Sequence, residues 1–252
     1  MTGRRFRMVG AAVLVGLLVL LPATVHGQPI EIPDLGIEPA TEPGQALQTM
    51  QILLLLTVLS IAPAILVLCT AFTRIAVVLG FLRTAMGTQQ LPPNQVLLGL
   101  ALFLTFAVMA PTFQEIYQSA VQPYARGEIS QAEFLDRAAE PLKDFMLRHT
   151  RKEDLALMLE ISGAPAPEGP EDVGFFTVVP AFAISELRTA FTMGFLIFLP
   201  FVIIDFIVAS TLMSLGMFMV PPVMVSLPFK ILLFVLVDGW HLVIQSLFES
   251  FQ

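Results

Sequence analysis

Residues 189–210 read TAFTMGFLIFLPFVIIDFIVAS, and this stretch decides the class of the whole chain. It carries no charge from Thr189 to Ile204. Asp205 then stands alone, and a further charge-free run extends from Phe206 to Phe229. A helix rising 1.5 Å per residue crosses a hydrocarbon layer roughly 30 Å thick with about 20 apolar residues. The rest of the chain is of the same kind. Of its 252 residues 56% are hydrophobic and 13% charged, about half the charged share of roughly 25% found in soluble domains. The mean hydropathy is +0.82. Such a chain cannot cover an ordinary water-facing surface and belongs with a membrane.

Working outward, charge is also missing between Glu42 and Arg74 and between Arg83 and Glu115. With Thr189 to Ser210 and Val223 to Phe248, this predicts four hydrophobic segments. Arg74 and Arg83 lie between the first two with no acid near them, which marks that loop as cytoplasmic. Residues 115–187 hold 19 of the 33 charges, 13 acidic and 6 basic, and are expected outside the cytoplasm. At the N-terminus, Arg4, Arg5 and Arg7 precede an apolar run from Met8 to Leu21, the layout of a secretory signal. Cleavage after Gly27 leaves a mature net charge of −10; an uncleaved signal anchor is the alternative. The expected organisation is a signal at 1–27, a flexible leader at 28–46, a first hydrophobic helical hairpin at 47–114, a helical extracytoplasmic insertion at 115–187, and a second hairpin at 188–252.

The fold expected is all-α. No strand pattern and no repeat of fixed period occurs. Ser130 and Glu133 form a capping box ahead of Phe134, Leu135 and Ala138, and Thr150 and Glu153 repeat that spacing. Pro141 suits the first turn of a helix presenting Leu142, Phe145 and Met146. Prolines interrupt the apolar segments at Pro63, Pro111, Pro200, Pro221–Pro222 and Pro228. Each removes a helical hydrogen bond, so these segments are expected as broken helices packed on protein or lining a path for water.

Enzyme chemistry finds no support. There is no GxSxG, HExxH or P-loop, and no cofactor motif. Cys69 is the one cysteine, which excludes an intramolecular disulfide or a CxxC site. With a formal charge of −7 and no basic block beyond residue 7, nucleic acid is not expected as a partner. His149 reads as a solvated or capping residue, and His241, beside Trp240, as an interfacial anchor. Asp205 is the exception, because a mid-membrane Asp costs about 2.5–3.5 kcal/mol to insert. Lys230 is the only base after Arg188, so an Asp205–Lys230 pair is expected, within or between subunits. It could fix helix register, or Asp205 could belong to a proton relay. Glu186 and Arg188, beside the apolar run, are candidates for partner contacts. Met217, Phe218 and Met219 precede the double proline. Methionine is flexible and polarizable, so this loop reads either as plain packing or, around a symmetric axis, as a deformable gasket.

Several long blocks carry a resemblance. Phe72 to Ile75, Pro92 to Thr105, Pro141 to Thr150 and Val235 to Trp240 (VLVDGW) are similar to the flagellar biosynthetic FliP family, and the likeness runs from about Ile61 to Phe248. Virulence-type secretion relatives share most of these blocks but usually lack a cleaved signal and leader. The resemblance implies a non-enzymatic subunit of the type III protein export gate in the bacterial inner membrane, at the flagellar basal body. It implies a pentameric homo-oligomer joined by FliQ and FliR subunits, passing exported flagellar polypeptides. It also implies that the apolar segments sit largely above the bilayer once assembled. The family's methionine-rich pore loop maps to Met217, Phe218 and Met219, with phenylalanine where a third methionine is common. Asp205 and Lys230 fall at positions that look structurally important in the family. The competing reading is a proton-coupled small-solute transporter with Asp205 as carrier; inverted repeats, its usual signature, are not found.

Overall fold

The computed structural model describes residues 43–88, 91–163, 167, 169 and 172–252. The expected signal at 1–27, and the leader up to residue 42, lie outside the described residues. The chain divides into two units at Thr57/Val58. The first contributes the opening half of helix α1 (Pro43–Cys69), and the remainder of the architecture belongs to the second.

Helix α1 ends where two threonine side chains take over its last carbonyls. Thr70 Oγ1 donates to Leu66 O at 2.5 Å and accepts from Phe72 N at 3.3 Å, while Thr73 Oγ1 donates to Val67 O at 2.5 Å. Orphan carbonyls at a helix end need such partners. The chain turns by 78° between Pro63–Cys69 and α2 (Phe72–Ala85). Helix α2 buries Ile75, Val78, Leu79, Leu82 and Ala85, a stripe at helical spacing.

Helix α3 (Asn94–Ile116) buries Leu97, Ala101, Thr105, Met109 and Thr112 along one face. It continues through a π turn (Tyr117–Val121) into the short α4 (Gln122–Ala125). Helix α5 (Gln131–His149) opens on Ser130, whose Oγ accepts from Glu133 N at 3.3 Å, one half of the expected capping box, while the Glu133 carboxylate accepts from Arg137 Nη2 at 2.7 Å. Helix α6 (Lys152–Ser162) follows at once and ends at Gly163, whose φ of 62° is free of strain only without a side chain. Helix α7 (Phe175–Ser214) is 40 residues long, about 60 Å. Helices α8 (Pro222–Leu236) and α9 (Gly239–Glu249) meet at 63°.

The core lies where α2 packs along α7, the most extensive helix pair. Gly194 makes that approach possible: a Cβ there would stand 2.5 Å from the ring of Phe81. Phe81 meets Phe191 edge to face at 5.3 Å. Helix α6 and the C-terminal half of α5 pack on the N-terminal half of α7 through Phe145, Met146, Val178 and Phe182.

The architecture is all-helical, and no strand occurs among the described residues. Among the described residues, two helices are long and apolar enough to cross a membrane, Asn94–Ala125 and Phe175–Ser214, and each of the two bent pairs could add one span. Three local expectations change. Pro63, Pro111, Pro200 and Pro228 lie inside continuous helices; one missing N–H leaves the neighbouring bonds to carry the helix. Among the expected breaks, only Pro221–Pro222 falls at one, with Pro222 opening α8. Pro141 sits in the middle of α5 rather than in a first turn. Thr150 does not cap α6: its hydroxyl donates backward to Met146 O at 2.7 Å, closing α5, and Arg151 holds the N-cap position. The expected boundaries at 114/115 and 187/188 fall within α3 and α7.

Candidate functional site: two buried ion pairs and an apolar loop

Four of the charges on α2, α7 and α8 form two ion pairs. The first joins α2 to α7. Arg74 Nε donates to Glu186 Oε2 at 2.9 Å, and Nη2 donates to Oε1, a two-pronged carboxylate clamp. The third nitrogen, Nη1, reaches the C-terminal turn, donating to Ser250 O at 2.6 Å and Ser250 Oγ at 2.9 Å. The guanidinium also lies 3.8 Å above the Phe251 ring, a cation–π contact. Glu186 is wholly buried and Arg74 nearly so. The residue beside it, Ser185, faces α6: its hydroxyl donates to Asp154 Oδ2 at 2.7 Å and accepts from Arg151 N at 3.0 Å. Adjacent positions on α7 thus anchor the α2 and α6 neighbourhoods.

The second pair joins α7, α8 and the end of α2. Lys230 Nζ donates to Asp205 Oδ2 at 2.6 Å and to Ala85 O at 3.3 Å. Ser226, one turn before Lys230 on α8, donates to Asp205 Oδ1. Both carboxylate oxygens are therefore occupied. Ala85 closes α2, and its carbonyl belongs to the negative end of that helix, where a cation is favoured. Gly87 follows with φ 74°, and a Cβ there would meet Lys230 Nζ at 3.6 Å. Lys230 is buried, and the Asp205 side chain remains 29% exposed.

Beyond Asp205, α7 ends at Leu215, and Gly216 turns the chain with φ 77°. Gly216 N donates to Met213 O and Met217 N to Leu212 O, each at 3.0 Å. The loop then presents Met217, Phe218 and Met219 at 45%, 77% and 95% exposure. Three large apolar side chains stand outward on a turn whose backbone is tied down at its start.

The structure brings Asp205 and Lys230 together and places the three loop residues side by side. It separates Glu186 from Arg188. Glu186 is buried against Arg74 rather than facing a partner, while Arg188, about 200° further round the helix, is exposed. Arg74 is no mere loop charge either. It is bonded to Glu186, which falls in the stretch assigned to the opposite side of the membrane, so those two assignments cannot both hold. The physical reason is that Arg74 belongs to a helix lying along α7, and its charge is neutralised there instead of being held in water. Arg74, Ser226, Ser250 and Phe251 were not singled out as members of these sites. The i, i+4 spacing of Ser226 and Lys230 was the available sign for one of them. Among the described residues no three His, Cys, Asp or Glu side chains gather as a metal site would need.

Comparison with known proteins places the chain in a family. The model of the FliP family matches residues 55–247, a span containing both ion pairs and the exposed loop. The flagellar biosynthetic protein FliP of Bacillus subtilis is 58% identical over 212 residues, covering 84% of this chain and 96% of that protein. Its counterpart in Pectobacterium carotovorum is 49% identical over 238 residues, covering 94% and 91%. That of Aquifex aeolicus is 50% identical over 211 residues, covering 83% and 88%. With a match over most of its length and relatives near half identity or above, the chain belongs to the FliP family.

Proposed function

We propose that this chain is a pore-forming core subunit of the flagellar type III protein export gate. It assembles as a homo-oligomer, a pentamer by family resemblance, with FliQ and FliR subunits in the inner membrane. Unfolded flagellar polypeptides pass through the assembly, and the residues 115–187 lie on its periplasmic side. Its role is structural: it holds a seal and opens for substrate, while the energy comes from its partners.

The observation that carries this reading is the loop at the end of α7. Met217, Phe218 and Met219 are exposed apolar side chains on an anchored turn, a costly arrangement for an isolated chain and a useful one around a shared axis. Phenylalanine at the middle position is as apolar as methionine but stiffer, so this seal deforms mainly at its two methionines. The Asp205–Lys230 pair braces the two helices that carry the loop.

A proton-coupled transporter would use Asp205 as a carrier. Both of its carboxylate oxygens already have donors, Lys230 and Ser226, which favours a brace over a carrier. The deciding experiment records ion conductance of the complex reconstituted with its partners. Replacing Met217 and Met219 by alanine should open a leak while the native mass stays that of the wild type. An intact assembly that remains tight would remove the gasket from the mechanism.

A further inference from the structure

His149 ends α5 with both ring nitrogens facing carbonyl oxygens. Nδ1 lies 2.7 Å from Phe145 O, and Nε2 lies 3.3 Å from Phe251 O. A carbonyl oxygen only accepts, so each bond needs a proton on the nitrogen that faces it. Neutral imidazole carries one N–H and the imidazolium carries two. The ring is held in place by aromatic neighbours, with centroids 4.5 Å from Phe145 and 5.5 Å from Phe251. It has no simple way to turn toward a different acceptor.

We propose that His149 is a proton-operated clasp on the C-terminal turn. The imidazolium ties Phe251 O to the end of α5. On losing a proton the ring keeps the shorter bond to Phe145 O and turns a lone pair toward Phe251 O, which releases the turn. Two charged groups of the packed helices belong to the surroundings of the ring, one through its charge and one through the Phe251 ring between them. Glu186 on α7 favours the cation, and Arg74 on α2, stacked on Phe251, opposes it. Arg148, its neighbour on α5, is exposed to solvent and is screened. Arg74 continues to hold Ser250 in both states, so the response is confined to the last turn, while α9 stays docked. The turn is ordered while both ring nitrogens carry protons and loosens when rising pH removes one of them. This inference stands apart from the pore reading, since it concerns a contact inside one chain.

Hydrogen exchange of the full-length, detergent-solubilised protein tests it, with rates corrected for intrinsic pH dependence. Between about pH 5 and pH 8, protection of the C-terminal amides should fall about tenfold, as expected for loss of one charge-assisted bond. A peptide from α8 should stay level. His149→Gln donates without titrating and should give a flat profile. A flat wild-type profile, or a slope that persists in His149→Gln, overturns the clasp. If the variant fails to fold, nitrogen-15 spectra of labelled histidines in the wild type decide. Two protonated ring nitrogens should be seen where the turn is protected, and a ring neutral throughout that range overturns the proposal.

Discussion

Lys230 illustrates how a buried charge constrains its surroundings. Its ammonium has Asp205 and the Ala85 carbonyl as partners, and removing it leaves a carboxylate in an apolar setting. Breaking a buried pair costs about 3–5 kcal/mol. Asp205 is 29% exposed, so solvent screening brings Lys230→Met toward, or below, about 3 kcal/mol. Denaturant titration of the solubilised chain should show that loss. The double replacement Lys230→Met with Asp205→Leu should recover most of it, because no charge is then left unpaired. Arg74 is less replaceable. Its planar fork binds both oxygens of Glu186, both Ser250 acceptors and the Phe251 face at once, and a lysine ammonium cannot reproduce that geometry. Arg74→Lys should therefore loosen the C-terminal turn, seen as faster exchange of the Ser250 and Phe251 amides. A variant that exchanged like the wild type would deny the fork its role.

At the scale of helices, the breaks are made by hydroxyl groups and glycine more than by proline. Thr70 bridges the end of α1 to the start of α2, and Gly239 allows α9 to leave α8 beside Phe234. A Cβ at Gly239 would stand 2.2 Å from the Phe234 ring, and the ring is itself packed on Trp240 at 5.5 Å. Gly239→Ala forces that aromatic pair to move, at a cost of about 1–3 kcal/mol for overpacking. Thermal unfolding should show a clear fall in midpoint, together with a change in the fluorescence of Trp240, the chain's single tryptophan. The same substitution at Gly80, inside α2 with open space around it, should be neutral to stabilising by up to about 1 kcal/mol and serves as the control.

For the whole molecule, the decisive quantity is how much apolar surface one chain leaves uncovered. Only 11% of the most apolar stretch of α7 is buried, and Phe195, Leu196, Ile203, Phe206 and Ile207 are all exposed. Exposed apolar surface on this scale needs lipid or other protein chains against it. About 60 Å of helix is also twice what a hydrocarbon layer can cover. Both facts accord with assembly into a larger complex. The expected mass in detergent is a discrete oligomer that grows when partner subunits are present. A stable monomer that ignores them would leave the conductance test without an object.

Much of this was legible in residues alone, and the reasons are local. Hydropathy along Thr189–Ser210 states the environment, the lack of any alternating pattern states all-helix, and an Asp among apolar neighbours states that a partner exists. Which partner, for a residue such as Arg74, depends on helices that meet across 112 positions of chain. No spacing rule links such positions, so Arg74 read as a loop charge and Glu186 as a surface contact. Proline likewise declares a missing hydrogen bond without saying whether the helix survives it. That outcome rests on the neighbouring turns and on the packing around them. Sequence by itself determined the class, the helices and the presence of buried charge, because these follow from each residue's own chemistry. Tertiary structure alone decided the pairing and the points of fracture, because burial belongs to the packed ensemble of helices and not to any one segment.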